Sequence, residues 1–345
     1  MKYPFSIIPV FLAGLMMVLP PLHADLTQDL AFTAFPSANP DDLGDGKILQ
    51  AKGGLIDFQR GLTAQSLFVV NAAPTAVAAK LVHWNQPSHP ELKVWFHQTV
   101  TAQGNPADFT FLQTLPDNSS ISSLLDATKN GDPSLQLNSN EATLLQSLRA
   151  QGGDSLFANF WSQVIAGRIS RFFSGAGGAD PYVVSGGNID PLGDMKSLLR
   201  SDVKVYQVFH PLLAQTPLYK AKAAKPLQPP AALPLPPADV YCECFDVEGT
   251  AALGTGALYQ VSNLDGSIES ADLEFYVNSG IYVSIELEKL WPVTINGQPE
   301  TLVWRDDLVS TASVAYLHGT ERLASGMIML QDVKAAIGAF RSELK

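Results

Sequence analysis

The chain has 345 residues, 46% of them hydrophobic and 16% charged, with 24 Pro, 26 Gly, two Cys and a formal charge of −11. The apolar fraction excludes a disordered chain, aperiodic Pro and Gly exclude collagen, and two Cys exclude a disulfide-built scaffold. The acidic balance argues against nucleic acid and against an anionic membrane surface, both of which want a basic face; the length suits roughly two domains of about 150 residues, or one large domain with an insertion.

Residues 1–24 read as an export signal. Lys2 starts it, Ile7 to Leu19 is almost wholly apolar, and Leu22-His23-Ala24 ends on a small residue, which places cleavage before Asp25. As an anchor the apolar run is short against a span of ~20 residues, and Pro20-Pro21 closes it. No Cys follows for a lipid anchor, and no later stretch is expected to reach membrane length. The expected location is exported, periplasmic or secreted, with no integral membrane segment after cleavage.

A mixed N-terminal part is expected over 25–220. Residues 25–47 look irregular; the acidic turn Asp41 to Gly46 has calcium-loop spacing but places Leu43 at a ligand position. Strands are expected at Lys47–Gln50, Gln65–Val70 and Leu92–Thr99, with a helix over Thr75–Trp84 that Pro74 opens. A helical block follows from 118 to 215, its best segments Ser119–Thr128, Glu141–Ala150 and Leu156–Phe173, then Leu192–Leu199 and Asp202–Leu213. Gly175–Gly178 and Ser185-Gly186-Gly187 read as loops. Residues 221–239 form a Pro-rich linker, with Pro226, Pro229, Pro230, Pro234, Pro236 and Pro237 favouring an extended, semi-rigid spacer.

The part from 240 to 345 reads as a meander plus a closing helix. Strands are expected at Tyr241–Val247 and Ala257–Val261. Ala271, Leu273, Phe275 and Val277 then alternate with polar residues, and after Asn278-Ser279-Gly280 so do Ile281, Val283, Ile285 and Leu287. A three-residue loop pairing Val277 with Ile281 puts both apolar rows on one face. Asn296-Gly297 is the favoured type I′ pair; setting Ile295 opposite Gln298 places Trp291 opposite Leu302, with Trp304 further along that face. The opposite face, with Asp272, Glu274, Glu286 and Glu288, is expected to be a solvated sheet face, with a cation or partner surface as the alternative. Thr320 is the candidate N-cap of the last helix, with Leu323, Met327, Leu330 and Ile337 in one stripe and Met329, Val333, Ala336 and Phe340 widening it. The fold class is α+β: an antiparallel β-meander gripped by a long C-terminal helix, with a helical insertion or separate helical block at about 118–215.

A strand running through Val70-Asn71-Ala72-Ala73-Pro74 into a helix with Val77 and Leu81, then a meander, then a long closing helix, resembles the START-like or helix-grip families. This is the class of Bet v 1 and the polyketide cyclase/lipid-transport relatives, and the resemblance covers about 45–115 and 240–345. It implies a cavity between sheet and closing helix suited to an apolar small molecule or lipid, with Trp304, Met327 and Met329 as lining; the plainer reading is that these fill a solid core.

Candidate chemistry is sparse. His83, His89 and His97 fall close together beside Glu91 and include donors a metal can use, but the five and seven intervening residues match no compact ligand pattern. Cys242 and Cys244, one residue apart, suit a strained redox bridge, half a soft-metal site or two quiet thiols. Ser201-Asp202-Val203-Lys204 matches S-x-x-K without its companion motifs, and Gly254-Thr255-Gly256 reads as a strand bulge, not a phosphate loop. Asp306-Asp307 reads as a strand end. No cofactor motif is present. The favoured function is non-enzymatic binding of an apolar small molecule or lipid. The alternatives are an exported hydrolase or metal-dependent enzyme using the His/Glu set, and an envelope scaffold using the Pro-rich segment.

Overall fold

Alternating apolar residues and tight turns build the C-terminal half. β6 (Asp239–Val247), β7 (Thr250–Ser262), β8 (Ile268–Val277), β9 (Ile281–Ile295) and β10 (Gln298–Thr311) run antiparallel in succession. Asn296 and Gly297 both take positive φ, as a type I′ turn requires, and Ile295 faces Gln298 with Trp291 opposite Leu302. Ala271 lies opposite Leu287 and Leu273 opposite Ile285, the expected register. Strand β7 is bulged between Thr255 and Gly256, as its Gly-Thr-Gly suggested.

The protein is seen here in a computed structural model that describes residues 26–44, 46–53, 58–153, 155–174, 180–184, 187–219 and 235–344. The expected leader at 1–24, the turn Gly175–Gly178 and most of the Pro-rich stretch lie outside the described residues. Upstream come α1 (Leu26–Leu30), β1 (Ile48–Lys52), β2 (Gly61–Val70), α2 (Pro74–Val82) and β3 (Val94–Thr99). The helical block is α3 (Ser119–Asn130), α4 (Ser139–Gln151), α5 (Leu156–Ser174), α6 (Pro191–Ser201) and α7 (Val203–Leu213), interrupted by a small ribbon of β4 (Tyr182–Val184) and β5 (Gly187–Ile189). The last element is α8 (Gly319–Ser342). The architecture is α+β.

Strands from both ends share one eight-stranded antiparallel sheet, ordered β1-β2-β10-β9-β8-β7-β6-β3. The helical block packs on one face: Trp161, Phe172, Phe209, Phe275, Trp291 and Trp304 belong to a single core there. Arg168 is buried in that layer, paired with Glu141 at 2.6 Å, bonded to the Asp180 carbonyl and lying over the Tyr276 ring. On the other face α2 and the C-terminal part of α8 cover Phe68, Val70, Leu290 and Val303. The expectation of one wet face is therefore corrected: helices lie on both.

Other expectations change in detail. Residues 26–30 are helical, and Asn39 caps a 3-10 turn at Pro40–Leu43, where an irregular start was expected. Tyr182–Val184 and Gly187–Ile189 pair as the ribbon, so Gly187 of the expected loop lies in a strand, while Ser185 and Gly186 lie outside the described residues. The last helix begins at Gly319 behind His318, so Thr320 lies inside it. At 24 residues α8 is long and apolar enough to cross a membrane by length and composition, which the sequence reading did not anticipate. Of its expected apolar stripe, Val333, Ile337 and Phe340 are buried, whereas Leu323 and Met327 are exposed. Both ends of α8 are tied down. Glu343 meets Lys80, the His89 ring and, at 3.2 Å, the Trp84 indole N–H; Arg322 donates to the carbonyls of Phe58, Gln59, Gly61 and Val314.

Candidate functional site

Helix α8 crosses the sheet along β1 and β2 and leaves the polar middle of that face open beneath its edge. A cleft of about 580 Å³ results, floored by β3, β6, β8, β9 and β10 and rimmed by Ile328, Asp332, Ala335 and Ala336 of α8. Eight carboxyl side chains line it (Glu91, Glu243, Asp246, Glu248, Asp272, Glu274, Glu286 and Asp332), against Lys93, His97 and Arg305.

Strand pairing sets the floor. Asp272 of β8 is directly opposite Glu286 of β9, which is opposite Asp307 of β10. Like charges in that relation repel. Arg305, one pleat along, relieves this: it reaches Glu286 at 2.5 Å, Asp307 at 2.6 Å and Glu288 at 3.8 Å. At the sheet edge the His97 ring lies between two acids, Nδ1 3.1 Å from Glu243 and Nε2 3.3 Å from Asp239, and stacks on Tyr241 at 4.6 Å. The Tyr241 hydroxyl donates to Asp272 at 2.8 Å.

Two glycines make room for this layout. A Cβ at Gly256 would meet the Tyr241 hydroxyl at 2.3 Å, and one at Gly254 would meet Glu274 Oε1 at 2.0 Å. Bare backbone on β7 thus lets Tyr241 and Glu274 lie across it. Glu274 is only 7% exposed, and its Oε1 has no hydrogen-bond partner.

Burial dominates the protonation of the floor. It pushes the Glu274 carboxyl well above the usual range, with the charges of Glu243 and Asp272 adding to the effect. It lifts Asp272 to about 7, against the Tyr241 hydrogen bond that draws it down. Glu288 rises to about 7, burial outweighing Arg305. For His97 burial acts downward, but the hydrogen bonds the ring donates to Asp239 and Glu243 overcome it and hold the imidazole at about 10, so the ring is cationic at neutral pH.

The expected site residues are not brought together. Trp304 faces the helical block, 5.6 Å from Phe209 and donating to Gln65, on the far side of the sheet from α8. Met327 is exposed, and Met329 is packed at the edge of the α2–α8 core. His89 lies 3.5 Å from Glu91, His83 caps α2, and His97 belongs to the cleft. Among the described residues no group of three or more His, Cys, Asp or Glu is arranged to hold a metal ion. Cys242 and Cys244 are free and buried in the helical-side core, where burial raises the Cys244 thiol to about 12 and lifts that of Cys242 well above its ordinary value. Ser201 bonds back to Ser197 and Lys204 to the Ala31 carbonyl, so they form no nucleophile and base. Asp306 and Asp307 sit within β10, not at its end, and point to opposite faces: Asp306 is buried against Thr63, and Asp307 pairs with Arg305 in the cleft layer.

Tyr241, Glu243 and Arg305 were missed as site residues. The acidic row Asp272, Glu274, Glu286 and Glu288 was visible, favoured as a solvated face with a cation or partner surface as the alternative; the signal for its burial was Arg305, which the hairpin register already sets opposite Glu288. No protein-family model matches the chain, and none of the curated proteins or solved structures compared with it matches either.

Proposed function

We propose that this is an exported, non-enzymatic binding protein of helix-grip type that holds a small organic cation between its sheet and closing helix. The observation that carries this reading is the buried Glu274 Oε1, an acceptor without a hydrogen-bond partner in a cleft where acids outnumber bases. An unsatisfied buried acceptor costs free energy that a donor from a ligand restores. A protonated amine supplies both donors and charge, and the lack of a metal-ligand cluster among the described residues favours it over a metal ion. The helix-grip relationship is supported by the succession from β2 into a Pro-opened helix, then the meander, then α8 lying on the sheet. The expected apolar small molecule or lipid is specified here as one that carries a cationic group, because eight carboxyl side chains line the cleft.

Calorimetry with phenethylammonium and 3-phenylpropionate tests the reading. The cation binds and the acid does not, and Glu274→Leu, which removes the free acceptor, weakens cation binding roughly tenfold, the worth of one hydrogen bond to a charged donor. Equal binding of both, or of neither, rules the reading out.

A further inference from the structure

Helix α8 gives the cleft a second acceptor, set apart from the floor. Asp332 lies four residues from Ile328 and from Ala336 and three from Ala335, so these side chains share one face of the helix, and all of them line the cleft. Asp332 is the one polar side chain that α8 puts there, and it forms no hydrogen bond or salt bridge among the described residues. The floor acceptor is Glu274 Oε1, buried, unpartnered and lining the same cleft. Between the two the lining turns apolar. A Cβ at Gly254 would meet both Glu274 Oε1 and the Phe245 ring, and Phe245 pairs with Val94 on β3. Lys93, next to Val94, acts on the Asp332 charge, and α8 packs on the Pro90–Leu92 turn just before it. Glu274 reaches over β7, so the floor between the acceptors covers the two strand spacings from β7 to β3, about 10 Å.

We propose that the ligand is a doubly protonated diamine. One ammonium donates to Glu274 Oε1 on the floor and the other to Asp332 on α8, and a chain of about four to six carbons lies across Phe245 and Val94 between them. This rests on the cationic-ligand reading and adds a second charged end. The bases of the cleft decide against the other bifunctional ligands. Lys93 is paired with Asp246 at 3.2 Å, His97 with Asp239 and Glu243, and Arg305 with Glu286, Glu288 and Asp307. A ligand carboxylate therefore meets no unengaged cation, whereas a second ammonium meets Asp332. A row of acids alone would be only a negative field; the buried, unpartnered Glu274 oxygen fixes where one end of the ligand sits, and the lone acid of α8 fixes the other.

The test is calorimetric titration of the full chain at pH 7 with n-pentylamine, 1,4-diaminobutane and 5-aminopentanoate, which share an ammonium and four methylenes and end in a methyl, an ammonium and a carboxylate. The diamine is expected to bind about tenfold more tightly than pentylamine, the worth of a second charged hydrogen bond, and the amino acid more weakly than either. Across diamines of three, four, six and eight carbons, affinity peaks at four to six. Asp332→Ala, at an exposed helix position, cancels the gain of the diamine and leaves pentylamine unchanged, while Glu274→Leu weakens both amines. A diamine that binds no better than pentylamine, or a gain that survives Asp332→Ala, would overturn the second seat and leave the cationic reading standing. Displacement of the diamine by an equal concentration of magnesium would reduce the cleft to a diffuse negative field and end the proposal, as would an amino acid that binds as tightly as the diamine. Binding of none of the amines would overturn the cationic reading along with it.

Discussion

At the scale of single residues, Arg305 decides whether the floor is tolerable. It is buried among Glu286, Glu288 and Asp307, so replacing it with Met leaves carboxylates without their counter-charge. Breaking a buried ion network from one side costs ~3–5 kcal/mol. Arg305→Met should show that loss in urea unfolding at pH 8 and a smaller loss at pH 5, where Glu288 takes up its proton. Gly256 carries a steric role of the same order. Gly256→Ala puts a methyl into the Tyr241 ring, and should cost ~1–3 kcal/mol in the same assay while perturbing the tyrosine ultraviolet signal. Neither role could be read from residue type. Arg305 looks like any strand arginine until pairing places three acids around it, and Gly254-Thr255-Gly256 signals a bulge without revealing which side chains cross it.

At the scale of elements, periodicity was a good guide wherever one pattern dominated. The hairpin at Asn296-Gly297 and the β8–β9 register were legible because turn chemistry and alternation agree. The acidic row was misassigned because alternation identifies two faces but not what covers each. In α8 the apolar residues spread over a broad arc, so sequence did not distinguish the half that packs from the half that does not. Substitution separates them. Ile337→Ala, fully buried against the sheet, should lower stability by ~2–5 kcal/mol; Leu323→Ala should change it by no more than ~0.5 kcal/mol in the same denaturation series.

At the scale of the whole molecule, the shifted groups of the cleft floor act in one direction. Free carboxyls lose their protons near about 4, whereas Asp272 and Glu288 keep theirs to about 7 in the folded chain. The native state therefore binds more protons across that window, and stability falls as pH rises through it. His97, raised from 6.5 to about 10, adds stability that is complete below 6.5 and disappears as pH climbs to about 10. Melting temperature of the ligand-free protein should thus drop from pH 5 to pH 8, while affinity for an ammonium ligand increases over the same range as the floor ionises; a flat melting profile would contradict the burial of these acids. The overall α+β order was legible, but the layer that the helical block forms was not, because nothing local in 118–215 says which face of which sheet it meets. Gln65 and Trp304 are bonded across 239 positions of chain, and β2 finds no neighbour on its inner side other than β10. Closing so long a loop is slow. The short-looped hairpins of 250–311 can assemble by themselves, but the β1–β2 pair must wait with a bare edge until almost the entire polypeptide has been made. For most of its synthesis, then, this chain carries a strand pair whose edge has no native partner yet to cover it.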